Sequence, residues 1–403
     1  MSEPTSTVIA ERPAPGAPRP YAFPPFTRTR LPNGLGILVV DLPGRPLVSA
    51  ALIIAGGSAD DPDELAGATV LMARALTEGT ERYDAIELVE AGERLGASLH
   101  AEAGWDAMSV SIDVPAERLA AALELVEEVL ARPTFPEDEV QRLREERLND
   151  LLQARADPRR RAEEAFVGAI YGSASPYRRS SGGVAETVER LDAETCRAAL
   201  ARLFDPERMT LVVGGDLAGL DVVALAVERF GAWRPSALAA APRDIDASPS
   251  ATERRILVIH RPGAVQTEIR VGHPGAARRI PDFHALSVMS AILGGLFNSR
   301  LNRKLREEKG YTYGASAGFD LRRAAGPFAA RAAVNTEVTV PALLDIMAQL
   351  DAIRDGVNAE ELADARDYLI GVFPLRFETS AAVVGALAGL VIQGLPDDEL
   401  TRY

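Results

Sequence analysis

Two hydrophobic periods alternate along the chain and set its elements. An Asn33-Gly34 turn separates apolar runs, and residues 35–40 and 48–55 read as buried strands. Further on, Met108, Val110, Ile112 and Val114 alternate with Ser109, Ser111 and Asp113. That period of two predicts a strand with one wet face. Between the strands the spacing turns helical. Residues 62–77 read as a helix with Leu65, Ala68, Met72 and Leu76 on one face. Asp84 is placed to cap a second helix, with Ile86, Val89 and Leu95 predicted inward. Leu119, Leu123, Val126 and Leu130 mark a third, and a long helix covers about 137–156. Asp192 starts another, and 209–213 reads as a closing strand.

Residues 236–255 are rich in Ala, Ser, Pro and charge, which predicts a linker. Beyond them the pattern restarts. Strands are predicted at 256–259 and 267–271, and a helix over 281–293 with Phe283, Leu286, Met289 and Leu293 inward. Pro341 opens a helix that turns Leu343, Ile346, Leu350 and Ile353 inward. The halves echo each other. Gly96-Ala97-Ser98 precedes a strand, a helix and Phe135-Pro136-Glu137; Gly314-Ala315-Ser316 precedes a strand, a helix and Val357-Asn358-Ala359. The expectation is an α+β fold of two homologous domains, each a largely antiparallel sheet with helices packed on one face. The division runs 1–26 as a disordered, proline-rich tail, 27–235 as the first domain, 236–255 as the linker and 256–403 as the second. The second domain reads as incomplete, since no counterpart of the Asp192 helix and the 209–213 strand follows in it.

Charge and composition then narrow the function. The formal net charge is −14, which argues against a nucleic-acid surface and suits basic partners or substrates. One cysteine, Cys196, excludes an intrachain disulfide and a cysteine-rich metal site. Only His100, His260, His273 and His284 are available for histidine chemistry. The first 26 residues hold seven prolines and no apolar run of signal-peptide length, which makes the cytoplasm the expected location. The uncharged stretch 379–396 falls short of the ~20 strongly apolar residues of a span and reads as a buried helix, not a membrane segment.

Most candidate motifs dissolve on inspection. Gly314-Ala-Ser316-Ala-Gly318 fits G-x-S-x-G, but no histidine follows His284, so the order of a serine hydrolase is missing. Gly294-Gly295 lacks a phosphate-loop context and reads as a helix stop. Arg159-Arg160-Arg161 reads as a solvated face.

One stretch is more informative. Gly56-Gly57-Ser58 leads through a helix to Gly79-Thr80 and resembles the insulinase and mitochondrial processing peptidase family of zinc peptidases. There, this helix carries H-x-x-E-H, two histidine ligands one turn apart with a glutamate that activates water. Counting back from Gly79-Thr80 puts the motif at residues 70–74, where Val70, Ala73 and Arg74 stand in place of both ligands and the base. The family's third ligand falls near Asp150, which cannot hold zinc alone. Gly96-Ala-Ser-Leu-His100-Ala101 is similar to the family's substrate-lining edge strand, with His100 where an asparagine is usual. In the second half, Arg306 and Tyr313 have the spacing of an Arg-Tyr pair that faces the zinc in related peptidases. A guanidinium and a phenol are suitable donors for a peptide carbonyl becoming an oxyanion.

The resemblance implies the metal-less subunit of a zinc peptidase pair: no cofactor in this chain, zinc in a homologous partner, and a peptide substrate. Two alternatives stand beside it. One is a catalytically inert scaffold or peptide-binding homologue. The other is an enzyme with an unrelated, metal-free mechanism.

Overall fold

The computed structural model describes residue 16 and residues 21–402. Residues 1–15 and 17–20, most of the expected tail, lie outside the described residues. Residues 21–26, at the end of that expected tail, pack on the fold because their aromatic side chains find apolar cover. Tyr21 stacks on Phe377 at 5.9 Å, and the buried Phe23 meets the same ring edge-on at 5.0 Å.

The first half runs β1 (Thr27–Arg30), β2 (Gly36–Asp41), β3 (Leu47–Ala55), α1 (Ala68–Ala75), α2 (Ala85–Leu95), β4 (Ser98–Ala103) and β5 (Ala107–Pro115). It continues with α3 (Leu119–Ala131), α4 (Glu137–Ala156), α5 (Pro158–Ile170), α6 (Ala185–Val188), α7 (Ala193–Leu203), β6 (Met209–Gly215) and α8 (Val222–Phe230). The second half runs β7 (Gln266–Pro274), α9 (Phe283–Ser290), α10 (Arg300–Asn302), β8 (Ala315–Phe319), β9 (Pro327–Asn335), α11 (Thr339–Ala352), α12 (Ala359–Val372) and α13 (Ser380–Gln393).

The strands form a six-stranded sheet in the order β1-β2-β6-β3-β5-β4 and a three-stranded sheet in the order β7-β9-β8. All pairs are antiparallel except β2 with β6, so the fold is α+β with a mixed first sheet. The repeat is visible in the pairing: β3-β5-β4 and β7-β9-β8 have the same order and direction, and a helix follows β5 and β9 alike.

Each strand face buries a different layer. Leu35, Ile37, Leu52, Ile54, Val110, Leu211 and Val213 pack against α1, α3, α7 and α8. The opposite face, with Leu38, Val40, Ile53 and Val212, is covered by α13 through Val383, Val384, Leu387 and Leu390. The first sheet is therefore clothed on both sides, and the second cover comes from the other half of the chain. The exchange is mutual, since α5 of the first half packs on β7. The 379–396 stretch is thus a core helix, and among the described residues no single helix is long and apolar enough to cross a membrane.

Four local expectations need correction. The helix expected over 62–77 is α only from Ala68, because Gly67 at φ +100° interrupts it and short 3-10 turns precede it. In α2, which a capping box between Asp84 and Glu87 starts, packing on α3 and β4 turns Leu88, Ala91 and Gly92 inward and leaves Ile86 and Val89 72% and 61% exposed. The helix expected over 281–293 is α only as far as Ser290 and closes with a π-helical turn, where Gly294 lies against the Ala317 backbone too closely for a Cβ. Residues 256–259 form no strand and are exposed. An apolar run needs a neighbour with free main-chain groups to become a strand. The preceding strand of the first half, β2, has β1 and β6 beside it; 256–259 has no such neighbour among the described residues.

Ion pairs join the halves. Glu163 of α5 accepts from Arg270 and Arg331, each at 3.0 Å. The tip between β8 and β9 enters the first half, where Arg323 donates its backbone N–H to Asp106 at 2.7 Å and its guanidinium to Asp60 at 3.0 Å. Asp60 also accepts from the backbone of Gly57 and of Arg243. One buried carboxylate thus ties together the first half, the 236–255 segment and the second half. Burial raises the Glu163 pKa, but Arg331 and Arg270 outweigh it and the net shift is downward. A folded pKa below the unfolded value, ~4.3, means this stabilisation is complete above that value and is lost as pH falls through the folded pKa. Acid unfolding should therefore begin at higher pH in Arg331→Ala than in the parent. Circular dichroism against pH below about 5 checks this; coincident curves would dismiss Glu163 as an inter-half tie.

Candidate functional site

Helix α1 lies between α4, α7 and β4. Val70 is half-buried, Ala73 is buried and Arg74 is exposed. Arg74 reaches across to α4 and donates to Glu146 at 2.9 Å. Glu146 also accepts from Arg142, which in turn holds Glu78 and Glu139, each at 2.7 Å. Asp150, one turn further along α4, is gripped by Arg147 at 2.5 Å and Arg160 at 2.8 Å. The Arg160 contact is the foremost reason its carboxyl titrates below the usual range. Arg160 belongs to the exposed arginine run, so that face is solvated and also carries an ion pair.

These donors do not suit zinc. A valine and an alanine offer no lone pair, an arginine at the third position adds positive charge, and both nearby carboxylates are already neutralised by guanidinium groups. Among the described residues no group of three or more His, Cys, Asp or Glu side chains could hold a metal ion. Metal analysis of the purified chain should find no stoichiometric zinc. The variant Val70→His/Ala73→Glu/Arg74→His should also find none, because Asp150 stays clamped. Adding Asp150→Glu and Arg160→Gln should raise uptake. One equivalent of zinc in the triple variant alone would refute this charge argument.

Strand β4 ends its sheet, so its outer main-chain groups have no strand partner among the described residues. His100 lies on it opposite Ser111 with its side chain exposed, and Ala101 lies opposite Val110, half-buried.

In the second half, α10 passes into a π-helical turn, Arg303–Glu308, which carries Arg306. Tyr313 stands just before β8, the end strand of its sheet. The structure brings the two together: the Arg306 guanidinium lies over the Tyr313 ring at 5.3 Å. Its Nε is 3.2 Å from Glu307, and Tyr313 is 91% exposed. A third member was not anticipated from sequence. Phe297, 65% exposed, lies under the same guanidinium at 4.4 Å. The available signal was a large aromatic directly after Gly294-Gly295-Leu296, in a loop that reads as a mere helix stop.

Residues 37–176 match the family profile described as insulinase (peptidase family M16), and residues 190–369 match that of the peptidase M16 inactive domain. The chain belongs to the M16 peptidase family. Among M16 relatives, an uncharacterized zinc protease of Mycobacterium tuberculosis is 27% identical over 366 residues, covering 89% of this chain and 82% of that protein. The non-peptidase homolog YmxG of Helicobacter pylori is 24% identical over 348 residues, covering 85% and 78%. A crystal structure titled as a peptidase M16 inactive domain from Pseudomonas fluorescens superposes with a TM-score of 0.86 at 27% identity, covering 94% of this chain and 90% of that one. A protease structure from Helicobacter pylori shares the fold with a TM-score of 0.86 at 20% identity, covering 93% and 91%. Its second half carries the family's inactive domain, which makes this chain an M16 peptidase-like protein.

Proposed function

We propose that this chain is the metal-less half of a zinc peptidase pair. In this reading Arg306 and Tyr313 bind the scissile peptide and steady its oxyanion opposite zinc held by a homologous partner. The observation that carries it is the pairing of Arg306 with Tyr313 on an exposed surface, in a chain whose own motif positions hold no metal donor. Both are strong donors, and among the described residues neither the Arg306 terminal nitrogens nor the Tyr313 hydroxyl has a hydrogen-bond partner. An extended peptide adds to the free edge of β4, past His100 and Ala101, through main-chain pairing that tolerates varied sequence. The chain's net charge of −14 favours a basic peptide.

The test mixes this chain with an M16 chain that carries H-x-x-E-H and follows cleavage of a basic peptide. Hydrolysis should require both chains and stop with a chelator. Full activity of the partner alone would sink the pair.

A second reading, a peptide-binding scaffold without a catalytic part, gains from the Arg306–Glu307 contact at 3.2 Å, which would satisfy a merely structural arginine. It predicts assembly with the partner but no effect of changing Arg306 or Tyr313 on the rate.

A further inference from the structure

The geometry points to Phe297 as a positioning residue that holds the Arg306 guanidinium in the orientation it uses. This rests on the catalytic reading of Arg306 and Tyr313 given above, and adds a third side chain to that site.

Three facts lead there. Phe297 is a large apolar side chain left 65% exposed, which burial cannot explain. Its ring is the nearer of two aromatic faces on Arg306, at 4.4 Å against 5.3 Å for Tyr313. The only ion pair of Arg306 among the described residues engages Nε through Glu307, which leaves the terminal nitrogens to donate elsewhere.

Arginine is long and flexible, and fixing it when a ligand arrives costs rotamer freedom. A planar guanidinium flanked by two rings, with Nε tied to a carboxylate, has lost much of that freedom before the ligand comes. The donors are then pre-organised, which helps most where charge develops late along the reaction. Phe297 is held in turn by the chain. It follows the π-helical turn Ala291–Gly295 and precedes α10, where Asn302 ties the Leu296 carbonyl and the Ser299 hydroxyl. The loop is therefore fixed at both ends.

The variants are Phe297→Leu, which keeps apolar bulk and removes the ring face, and Phe297→Trp, which keeps a face. An exposed side chain makes both compatible with folding. The first readout uses this chain alone with arginine labelled by carbon-13 and nitrogen-15. In Phe297→Leu the Arg306 side-chain protons should lose their upfield ring-current shift and its Nε signal should narrow; Phe297→Trp should restore both. The second readout is steady-state kinetics of the mixed pair. Phe297→Leu should lower kcat/KM about two- to fivefold, mainly through kcat, with recovery in Phe297→Trp.

Unmoved Arg306 signals in Phe297→Leu would overturn the clamp. So would moved signals with kinetics unchanged while Arg306→Ala is impaired, since the orientation would then not matter. Should Arg306→Ala itself leave the rate untouched, the catalytic reading falls and takes the positioning role with it. That control separates the two failures.

Discussion

Arg306→Ala is expected to lower kcat/KM of the reconstituted pair about 10²–10³-fold, while leaving assembly intact. Removing one oxyanion donor usually costs ~2.7–4 kcal/mol. Assembly should survive because, among the described residues, the Arg306 side chain is tied only to Glu307, Phe297 and Tyr313. Tyr313→Phe should act in the same direction, since it removes the hydroxyl and keeps the ring over Arg306. The two losses should fall short of additive in the double variant, because both groups serve the same oxygen. Steady-state kinetics decide it. If both single variants stay within about threefold of the parent, less than ~0.7 kcal/mol, the pair has no catalytic part and the scaffold reading replaces it.

Local chemistry was the legible part of the fold. Helix α4 follows the Phe135-Pro136 step and stops before Asp157-Pro158, so its sequence carries its own start and stop. The Asp192 helix declares itself through a side-chain cap on Thr195. What escaped depends on distant partners. The strand faces of β2 and β3 are apolar on both sides, which signals cover on both faces, but nothing in those residues says that α13 supplies the second layer. Residues 256–259 have strand composition, yet composition cannot provide a neighbour. In α2 the apolar Ile86 and Val89 were the obvious inward choice, but the helix meets α3 and β4 through Leu88 and Ala91 and leaves them outward.

The candidate site divides the same way. The degenerate motif on α1 and the seven-residue step from Arg306 to Tyr313 are one-dimensional facts. That Asp150 sits between Arg147 and Arg160 needs α4 and α5 to turn back on each other. That Phe297 meets Arg306 needs the loop after the π-helical turn to fold under the next helix. A side chain that orients another through space leaves no spacing rule to read.

Asp61→Ala should be among the most destabilising single changes in the chain, about 3–5 kcal/mol in urea unfolding. Asp61 is fully buried and takes the backbone N–H of Gly67 at 3.1 Å, the backbone N–H of Thr69 at 3.3 Å and the Thr69 hydroxyl at 2.5 Å. It also accepts from Arg202 of α7 at 2.8 Å. The carboxylate therefore caps the start of α1 and pairs the helix to α7. Burial is the foremost influence on its titration and raises its pKa, so the charged form is tolerated only because these donors surround it. Truncation to alanine leaves the half-buried Arg202 guanidinium and the backbone N–H groups of Gly67 and Thr69 without this acceptor, which costs more than the pair itself is worth. Removing both charges should be milder. Asp61→Asn/Arg202→Met keeps an amide oxygen for the helix and withdraws the stranded cation, so the double variant should recover at least half the loss of Asp61→Ala. If instead Asp61→Ala unfolds within about 1 kcal/mol of the parent, the network is incidental and α1 is held by its apolar face alone, through Leu71, Met72 and Ala75.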